Sequence, residues 1–222
     1  IHSVGFSPDG HRIVSGGADA TVRLWDADTG VEVGPPMVGH TGAVMGVAFS
    51  PDGQRVVSGS ADGTVRVWDA RTQVPIAKPV EIGHPVNAVA YHPDNRRVAS
   101  GAMRGQLNIF DPTSGVPGDS LASDQQPVLT VAFSPDGHRL VASGMNPAIN
   151  MWNADTGAPM GSAIGHTGAV TSVAFSPMGN RIVSSSHDGT VRIWNAGRYR
   201  SGGHQVFGPT PGGIPLPFAK SV

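Results

Sequence analysis

The stretch GHTGAVMGVAFSPDGQRVVSGSADGTVRVWD, residues Gly39–Asp69, decides the fold because its pattern returns along the chain. In each copy one aromatic residue precedes a turn of the Ser-Pro-Asp type, and a second aromatic residue stands near the end. The first series is Phe6, Phe49, Tyr91, Phe133 and Phe175, and the second is Trp25, Trp68, Phe110, Trp152 and Trp194. Both series advance by 43 residues and then three times by 42. Two markers that keep one period identify a tandem repeat in which each unit forms one supersecondary element.

Residue types within the second repeat predict β-strands separated by tight turns. Three strands are predicted at Ala43–Phe49, Arg55–Ser60 and Val65–Trp68. The SPDG turn at 50–53 and the Asp-Gly pair at 62–63 supply the residues that tight turns and hairpins need. A fourth, weaker strand is expected within Val74–Val80 at the outer edge, where proline is tolerated. Regular strands without helical periodicity indicate an all-β architecture, and about 40–45 residues is the length of one four-stranded propeller blade.

Composition excludes several kinds of chemistry. The 222 residues include no cysteine, so disulfides, thiolate metal sites and cysteine nucleophiles are absent. The formal net charge is −1, so no basic excess is present to bind nucleic acid phosphates. No stretch approaches the about 18 apolar residues of a membrane-spanning helix, and no signal peptide is recognised. We expect no cofactor, no metal, no nucleic acid partner, no membrane partner and a cytoplasmic location.

The motifs GH, FSPDG and SGSADGTVRVWD resemble the WD40 family of β-propellers over about residues 1–195. The resemblance implies a WD40-type β-propeller with five recognisable four-stranded blades. The expected blades are about 1–39, 40–82, 83–124, 125–165 and 166–208, followed by a Gly/Pro-rich tail or linker at 209–222. The pattern begins without its Gly-His, so we expect a fragment of a seven-bladed ring. A closed five-bladed ring and an open arc completed by another chain are the alternatives.

In this family a His, a Ser or Thr, an Asp and a Trp form a hydrogen-bonded chain within each blade. The matching tetrads are His40, Ser58, Asp62 and Trp68 in the second repeat, and His166, Ser184, Asp188 and Trp194 in the fifth. The third repeat has Arg104 and Phe110 in place of Asp and Trp, and the fourth has Asp124, Ala142 and Asn146 in place of His, Ser and Asp. We therefore expect blades 3 and 4 to be softer.

Ser, His and Asp in one repeat also suggest a hydrolase, but the repetition favours a structural role. A catalytic triad has one nucleophile, whereas the complete set occurs twice here, each time with a Trp. We predict no catalytic residue and no enzyme activity.

One arginine recurs at the same position in every repeat: Arg12, Arg55, Arg97, Arg139 and Arg181. It could form an anion-binding ring or pair with a nearby Asp across each turn, and we favour the second interpretation.

Partner contacts in the family lie at the ends of the innermost strands and at the Asp hairpins, around the central channel. Carried onto this chain, the protein-binding candidates are His2, Met45, Asn87, Met103, Leu129, Met145, Thr171 and His187. Exposed apolar residues often mark docking sites, and methionine adapts to varied ligands. We therefore expect a non-catalytic scaffold that binds peptide or protein segments, as part of a larger signalling or regulatory protein.

The sequence is also compatible with two other classes of function. The alternatives are a propeller that binds a small ligand or glycan, and an enzyme with a site at the channel mouth. The first would need exposed Trp or Tyr, and the second would need converging titratable groups. An open arc would expose the apolar flanks of the first and last blades and allow self-association through the open blade edges. The segment His204–Phe207 is expected to supply the fourth strand of blade 5, with disorder expected beyond it.

Overall fold

The computed structural model describes residues 1–118, 120–121 and 125–196, and the backbone of 205–207. The chain divides into two compact units, unit 1 at Ile1–Val128 and unit 2 at Leu129–Val222. Within the described residues there are eighteen β-strands and one helical element, a 3₁₀ turn at Met103–Gly105. No described helix has the length and apolar character needed to cross a bilayer.

Unit 1 contains three antiparallel sheets, which we number as blades 1 to 3. Blade 1 is β1 (Ser3–Phe6), β2 (Arg12–Gly16) and β3 (Val22–Asp26). Blade 2 is β4 (Val44–Phe49), β5 (Arg55–Ser60), β6 (Thr64–Asp69) and β7 (Val80–Glu81). Blade 3 is β8 (Val86–Tyr91), β9 (Val98–Ala102) and β10 (Leu107–Phe110). In each blade, consecutive strands pair as hairpins.

Two further sheets form blades 4 and 5, which belong to unit 2 apart from the first residue of β11. Blade 4 is β11 (Val128–Phe133), β12 (Arg139–Gly144), β13 (Ile149–Asn153) and β14 (Pro159–Ala163), with β18 (Gln205–Phe207) added at its edge. Blade 5 is β15 (Val170–Phe175), β16 (Arg181–Ser186) and β17 (Val191–Asn195). One sheet for each repeat confirms the all-β prediction and the five repeats.

The expected fourth strand is short or reduced to isolated bridges in blades 1 to 3. In blade 2 the outer strand β7 has two residues, and Trp68 and Pro75 form only an isolated bridge. Blade 1 has isolated bridges at Val22 with Met37 and at Trp25 with Glu32, and blade 3 has one at Asn108 with Ser120. Prolines in these outer segments lack the N–H that a ladder needs, so pairing is interrupted. Blade 4 has the longest outer strand, β14.

The prediction that His204–Phe207 completes blade 5 is wrong for the strand that the structure describes. Strand β18 pairs in parallel with β14 of blade 4, where Gly161 faces Gln205 and Ala163 faces Phe207. A parallel neighbour on β14 extends blade 4 to five strands and leaves blade 5 with three. The predicted tail at 209–222 and the tetrad substitute Asp124 lie outside the described residues.

Apolar side chains between neighbouring blades form the core of unit 1. Side chains of β2 and β3, such as Val14 and Leu24, pack in one buried cluster with Val47 and Phe49 of β4. The blades approach closely at one glycine, since a Cβ on Gly16 would lie 2.5 Å from Cγ1 of Val44. Blades 1 and 2 therefore bury apolar faces against each other, as expected for repeats that form no core alone.

Candidate functional site

The four tetrad side chains of blade 2 form a continuous hydrogen-bonded chain. The indole Nε1–H of Trp68 donates to Oγ of Ser58 at 2.8 Å. Oγ of Ser58 lies 2.8 Å from Nε2 of His40, and Nδ1 of His40 lies 2.8 Å from Oδ2 of Asp62. Because Nδ1 faces a carboxylate, the ring proton sits on Nδ1, and Nε2 accepts the hydroxyl proton of Ser58. Each side-chain nitrogen and hydroxyl group of this tetrad then has a hydrogen-bond partner within it.

Backbone donors complete the environment of Asp62. The N–H of Thr41 donates to Oδ2 at 2.9 Å, and the N–H and hydroxyl of Thr64 donate to Oδ1 at 2.9 and 2.8 Å. Burial raises the pKa of Asp62, but these hydrogen bonds and the one from His40 outweigh it and lower the pKa to about 2. Burial lowers the pKa of His40 although Asp62 raises it. The pair is therefore a neutral imidazole bound to a carboxylate.

Blade 5 repeats this arrangement in unit 2 with nearly the same distances. The indole of Trp194 donates to Oγ of Ser184 at 2.8 Å, and that oxygen lies 2.7 Å from Nε2 of His166. Nδ1 of His166 lies 2.8 Å from Oδ2 of Asp188. Burial raises the pKa of Asp188, but hydrogen bonds from Thr190, His166 and Thr167 outweigh it and hold the pKa well below its usual range. Equal spacing in sequence thus produces equal geometry.

The tetrad geometry favours a structural role over hydrolysis. Ser58 and Ser184 are buried, and each hydroxyl oxygen already accepts an indole N–H, so neither is presented to a substrate. A nucleophilic serine needs access to the substrate and a base that is free to take its proton. Within the described part of the chain, no group of three His, Cys, Asp or Glu side chains could hold a metal ion.

The other blades retain only parts of the tetrad. In blade 1, Nε1 of Trp25 donates to Oγ of Ser15 at 2.8 Å. In blade 3, Ser100 is fully buried, and its hydroxyl has no hydrogen-bond partner among the described residues. Phe110 holds the Trp position there and has no indole N–H to donate. In blade 4, Asn146 holds the Asp position, and its Oδ1 accepts the N–H of Ala148 at 2.9 Å.

A recurring backbone hydrogen bond joins the Asp hairpin of a blade to the start of the innermost strand of the same blade. The N–H of the hairpin residue donates to the carbonyl of the residue that leads into the innermost strand. The three pairs are Ala61 to Ala43 at 2.8 Å, Met103 to Pro85 at 2.9 Å and His187 to Ala169 at 2.9 Å. Each hairpin position therefore lies beside the start of the innermost strand of its own blade, at one end of the sheet.

The predicted contact residues differ in how far they are presented to solvent. In unit 1, Met103 is 39% exposed and Met45 is half-buried, and His2 is exposed. In unit 2, Met145 is 52% exposed, Leu129 is half-buried, and Thr171 and His187 are exposed. We call Met45 and Met103 with Arg104 the methionine patch of unit 1. Each unit therefore has one exposed methionine at the hairpin between the second and third strands of a blade.

Two residues change the predicted surface of unit 1. Nδ2 of Asn87 donates to the backbone carbonyl of Val128 at 2.9 Å, so this amide group already has a partner within the protein. Arg104 is exposed beside Met103 and adopts a left-handed conformation with φ of 62° inside the 3₁₀ turn. The predicted contact residues included no charged side chain, although the sequence already showed Arg in place of the hairpin Asp in this repeat.

The repeated arginine contacts the next blade at one of its positions and pairs across its own turn at another. The guanidinium of Arg12 lies 5.5 Å from the ring centre of Phe49. It also donates to the carbonyls of Gly53 and Ala70 at 3.0 Å each. Arg97 instead shows the predicted pairing across its own turn, with Nε 2.7 Å from Oδ2 of Asp94. The preferred interpretation therefore describes Arg97 but misses the contacts that Arg12 makes with the next blade.

Comparison with known proteins agrees with this geometry. A family model described as "WD domain, G-beta repeat" matches the chain five times, at residues 1–26, 35–69, 77–111, 115–153 and 157–195. These matches together span more than half of the chain and follow the five sheets in order. The comparison with curated proteins found no match.

Proposed function

The chain belongs to the WD40 repeat family, and from this premise we propose that it is a non-catalytic interaction scaffold. WD40 repeats generally mediate contacts between proteins, and domains of this family are typically not catalytic. The proposed ligand is a peptide or protein segment that binds at the hairpin ends of the blades. We further propose that the chain works within a larger signalling or regulatory protein in the cytoplasm.

The methionine patch of unit 1 carries this proposal. Met103 is exposed at the hairpin of blade 3. Thioether side chains are flexible and polarizable, so they fit varied apolar partners. Exposed apolar residues grouped at one end of a domain often mark an interaction site. A methionine is also exposed at the corresponding hairpin position of blade 4, Met145.

The charge at the patch sharpens the ligand class. The guanidinium of Arg104 follows Met103 directly and is exposed. It holds the hairpin position that Asp62 holds in blade 2, so the charge at this position is reversed in blade 3. An arginine beside apolar surface favours a ligand with a carboxylate near its apolar residue. We therefore propose a segment with an apolar anchor next to Asp or Glu.

A displayed random peptide library selected on the purified chain would test this proposal. We expect the selected peptides to combine an apolar anchor with an acidic neighbour. Met103→Glu should weaken the best peptide by at least about tenfold, because a carboxylate replaces apolar contact and repels the acidic neighbour. Fluorescence polarisation with the labelled peptide measures the affinity.

Met178→Glu is the matched control, because Met178 is exposed in the turn between β15 and β16, at the opposite end of its sheet from the Asp hairpin between β16 and β17. Its affinity for the peptide should equal that of the parent chain. Equal loss in both variants, or no loss in Met103→Glu, would remove the support for the patch. Thermal unfolding of each variant separates lost binding from lost folding.

The other function classes have less support from the described residues. A glycan site would use an exposed Trp or Tyr, but Trp68, Trp152, Trp194 and Tyr91 are buried, and Trp25 is half-buried. An enzyme would need converging titratable groups that can reach a substrate. The Ser, His and Asp side chains of the two complete sets are instead hydrogen-bonded to each other and to a buried Trp. Self-association is a second interaction that one observation favours: Val4 and Phe6 on β1 are 65% and 67% exposed.

A further inference from the structure

One contact between blades occurs twice in the chain with the same parts. In blade 4, the guanidinium of Arg139 lies 5.3 Å from the ring centre of Phe175 in blade 5. It donates to the carbonyls of Ala196 and Gly179 at 2.7 and 2.9 Å. Arg12 makes the same three contacts with Phe49, Ala70 and Gly53. We call this arrangement, an arginine on a ring and two carbonyls of the next blade, the arginine latch.

A hydroxyl forms a second link at the same two junctions. The N–H of Val47 in blade 2 donates to Oγ of Ser3 in blade 1 at 3.2 Å. The N–H of Val173 in blade 5 donates to Oγ1 of Thr130 in blade 4 at 3.1 Å. The junction is therefore built from a latch at one end of the blade and a hydroxyl bond on the innermost strand.

Blade 1 has an unused receiving half of this junction. Phe6 holds the position of Phe49 and Phe175, and it is 67% exposed with no guanidinium on its ring in the described structure. Gly10 and Ala27 hold the positions of the two carbonyl acceptors. Val4 is 65% exposed, whereas the residues at its position in the other repeats are buried: Val47, Val89, Val131 and Val173.

Blade 5 has an unused donating half. Arg181 holds the latch position and is exposed, and within the described residues its guanidinium has no hydrogen bond or ion pair. Ser172 holds the position of Ser3 and Thr130 and is also exposed. Val183 is 41% exposed and Val191 is 40% exposed. The other repeats bury these two positions, as Val14, Val57, Ala99 and Val141, and as Val22, Val65, Leu107 and Ile149.

We propose that a second copy of this chain docks its blade 5 on the exposed flank of blade 1 through an Arg181–Phe6 latch. The guanidinium of Arg181 lies on the ring of Phe6 and donates to the carbonyls of Gly10 and Ala27. The hydroxyl of Ser172 accepts the N–H of Val4, and Val183 and Val191 cover the apolar surface. The contact joins different surfaces of the two copies, so association is head to tail.

A second copy is the occupant that the chemistry favours. Each flank presents exposed apolar side chains, and the two flanks together carry the residues that form the existing junctions. A cation on an aromatic ring and charge-assisted hydrogen bonds to carbonyls make the pairing specific as well as favourable. The same junction is already formed twice within the chain, so the proposed contact needs no new geometry. The inference rests on the self-association proposed above and adds the residues that carry it.

Light scattering and sedimentation over a concentration series test the proposal on the chain of residues 1–222. We expect the parent chain to associate. Arg181→Ala and Phe6→Asp should each weaken association by about 10- to 100-fold, through loss of the ring contact and the hydrogen bonds. Arg71→Ala and Val31→Asp are matched controls at exposed positions outside the two flanks, and they should associate as the parent does.

Mixing two blocked variants distinguishes a head-to-tail contact from a symmetric one. Arg181→Glu keeps an intact receiving flank, and Phe6→Asp keeps an intact donating flank. Each should be monomeric alone, and the mixture should form a one-to-one complex through the single intact pair. A mixture that stays monomeric while the parent associates overturns the latch, whereas a parent that stays monomeric overturns self-association as well. Circular dichroism of each variant shows whether it is folded.

Discussion

Blades 2 and 3 of unit 1 share a strand pattern but differ in how they use a buried serine. In blade 2, Ser58 is bonded to Trp68 and to His40, and the chain continues to Asp62. In blade 3, Ser100 is equally buried but has no partner among the described residues. Both blades nevertheless form their sheets, which teaches that apolar packing between blades builds the fold and the tetrad adds to it.

The largest effect should come from Asp62, the acceptor on which the blade 2 network converges. Asp62→Ala leaves Nδ1 of His40 and the backbone N–H of Thr41 without their acceptor. The N–H and hydroxyl of Thr64 lose their acceptor as well. Each buried group left without a partner costs about 1–3 kcal/mol, and with some relaxation we expect about 3 kcal/mol in total. Urea unfolding with amide hydrogen exchange across β4–β6 measures it.

The control for Asp62 is Asp19→Ala in blade 1, where the carboxylate is mostly exposed and bonds to Thr21 and Arg23. Because water can replace an exposed acceptor, the loss should be much smaller than for Asp62. Equal losses in the two variants would show that the tetrad adds nothing beyond an ordinary hairpin carboxylate.

A smaller loss is expected from Ser58→Ala. This substitution leaves the indole N–H of Trp68 and Nε2 of His40 without partners inside a buried site. Unsatisfied buried groups cost about 1–3 kcal/mol each, and some relaxation is available, so we expect about 2 kcal/mol. Hydrogen exchange in blade 2 should increase, while exchange in blade 5, which has its own tetrad, should stay as in the parent.

Mild acid should weaken blade 2 by less than either substitution. Burial lowers the pKa of His40 in the folded chain, so the unfolded chain binds the proton first as pH falls below about 6.5. Stability from this group is therefore complete above that pH and is lost as pH falls toward the lower folded pKa. His40→Gln should be less stable at neutral pH but should show a shallower pH dependence of exchange in β4–β6. An unchanged pH dependence in this variant would show that protonation of His40 is not its cause.

The smallest effect, and the one of opposite sign, is expected in blade 3. Ser100→Ala removes a buried hydroxyl that lacks a partner in the described structure, so its desolvation cost disappears. We expect a change between neutral and about 1 kcal/mol of stabilisation. Urea unfolding of this variant beside Ser58→Ala compares the same substitution at the same repeat position. A loss equal to that of Ser58→Ala would show that Ser100 is bonded as well.

Local sequence was sufficient for the strands of the repeat. The predicted strands at Ala43–Phe49, Arg55–Ser60 and Val65–Trp68 correspond to β4, β5 and β6 within one residue at each end. Turn residues set the hairpin registers, and the period places the same side chains in each blade. The replacement of Trp and Asp in blade 3 was visible in the sequence for the same reason. The prediction that blades 3 and 4 are softer stays untested.

The outer strands and the blade edges were not predictable in the same way. Prolines reduced the expected fourth strand of blade 2 to Val80–Glu81, and β18 paired with β14 of blade 4 instead of blade 5. Pairing at an edge depends on which unpaired strand is within reach, and distant parts of the chain decide that. The candidate contact residue Asn87 likewise proved to hold a backbone carbonyl.

The repeat period, the strand order within a blade and the identity of the tetrads followed from sequence, because hairpins and their side-chain positions are local. The tertiary structure decided which side chains meet between blades. Arg12 contacts Phe49 and carbonyls far along the chain, and the same arginine position in blade 5 lies exposed. Arg12 and Arg181 hold the same position of the repeat, so the position alone does not determine whether the guanidinium contacts a neighbouring blade or lies exposed.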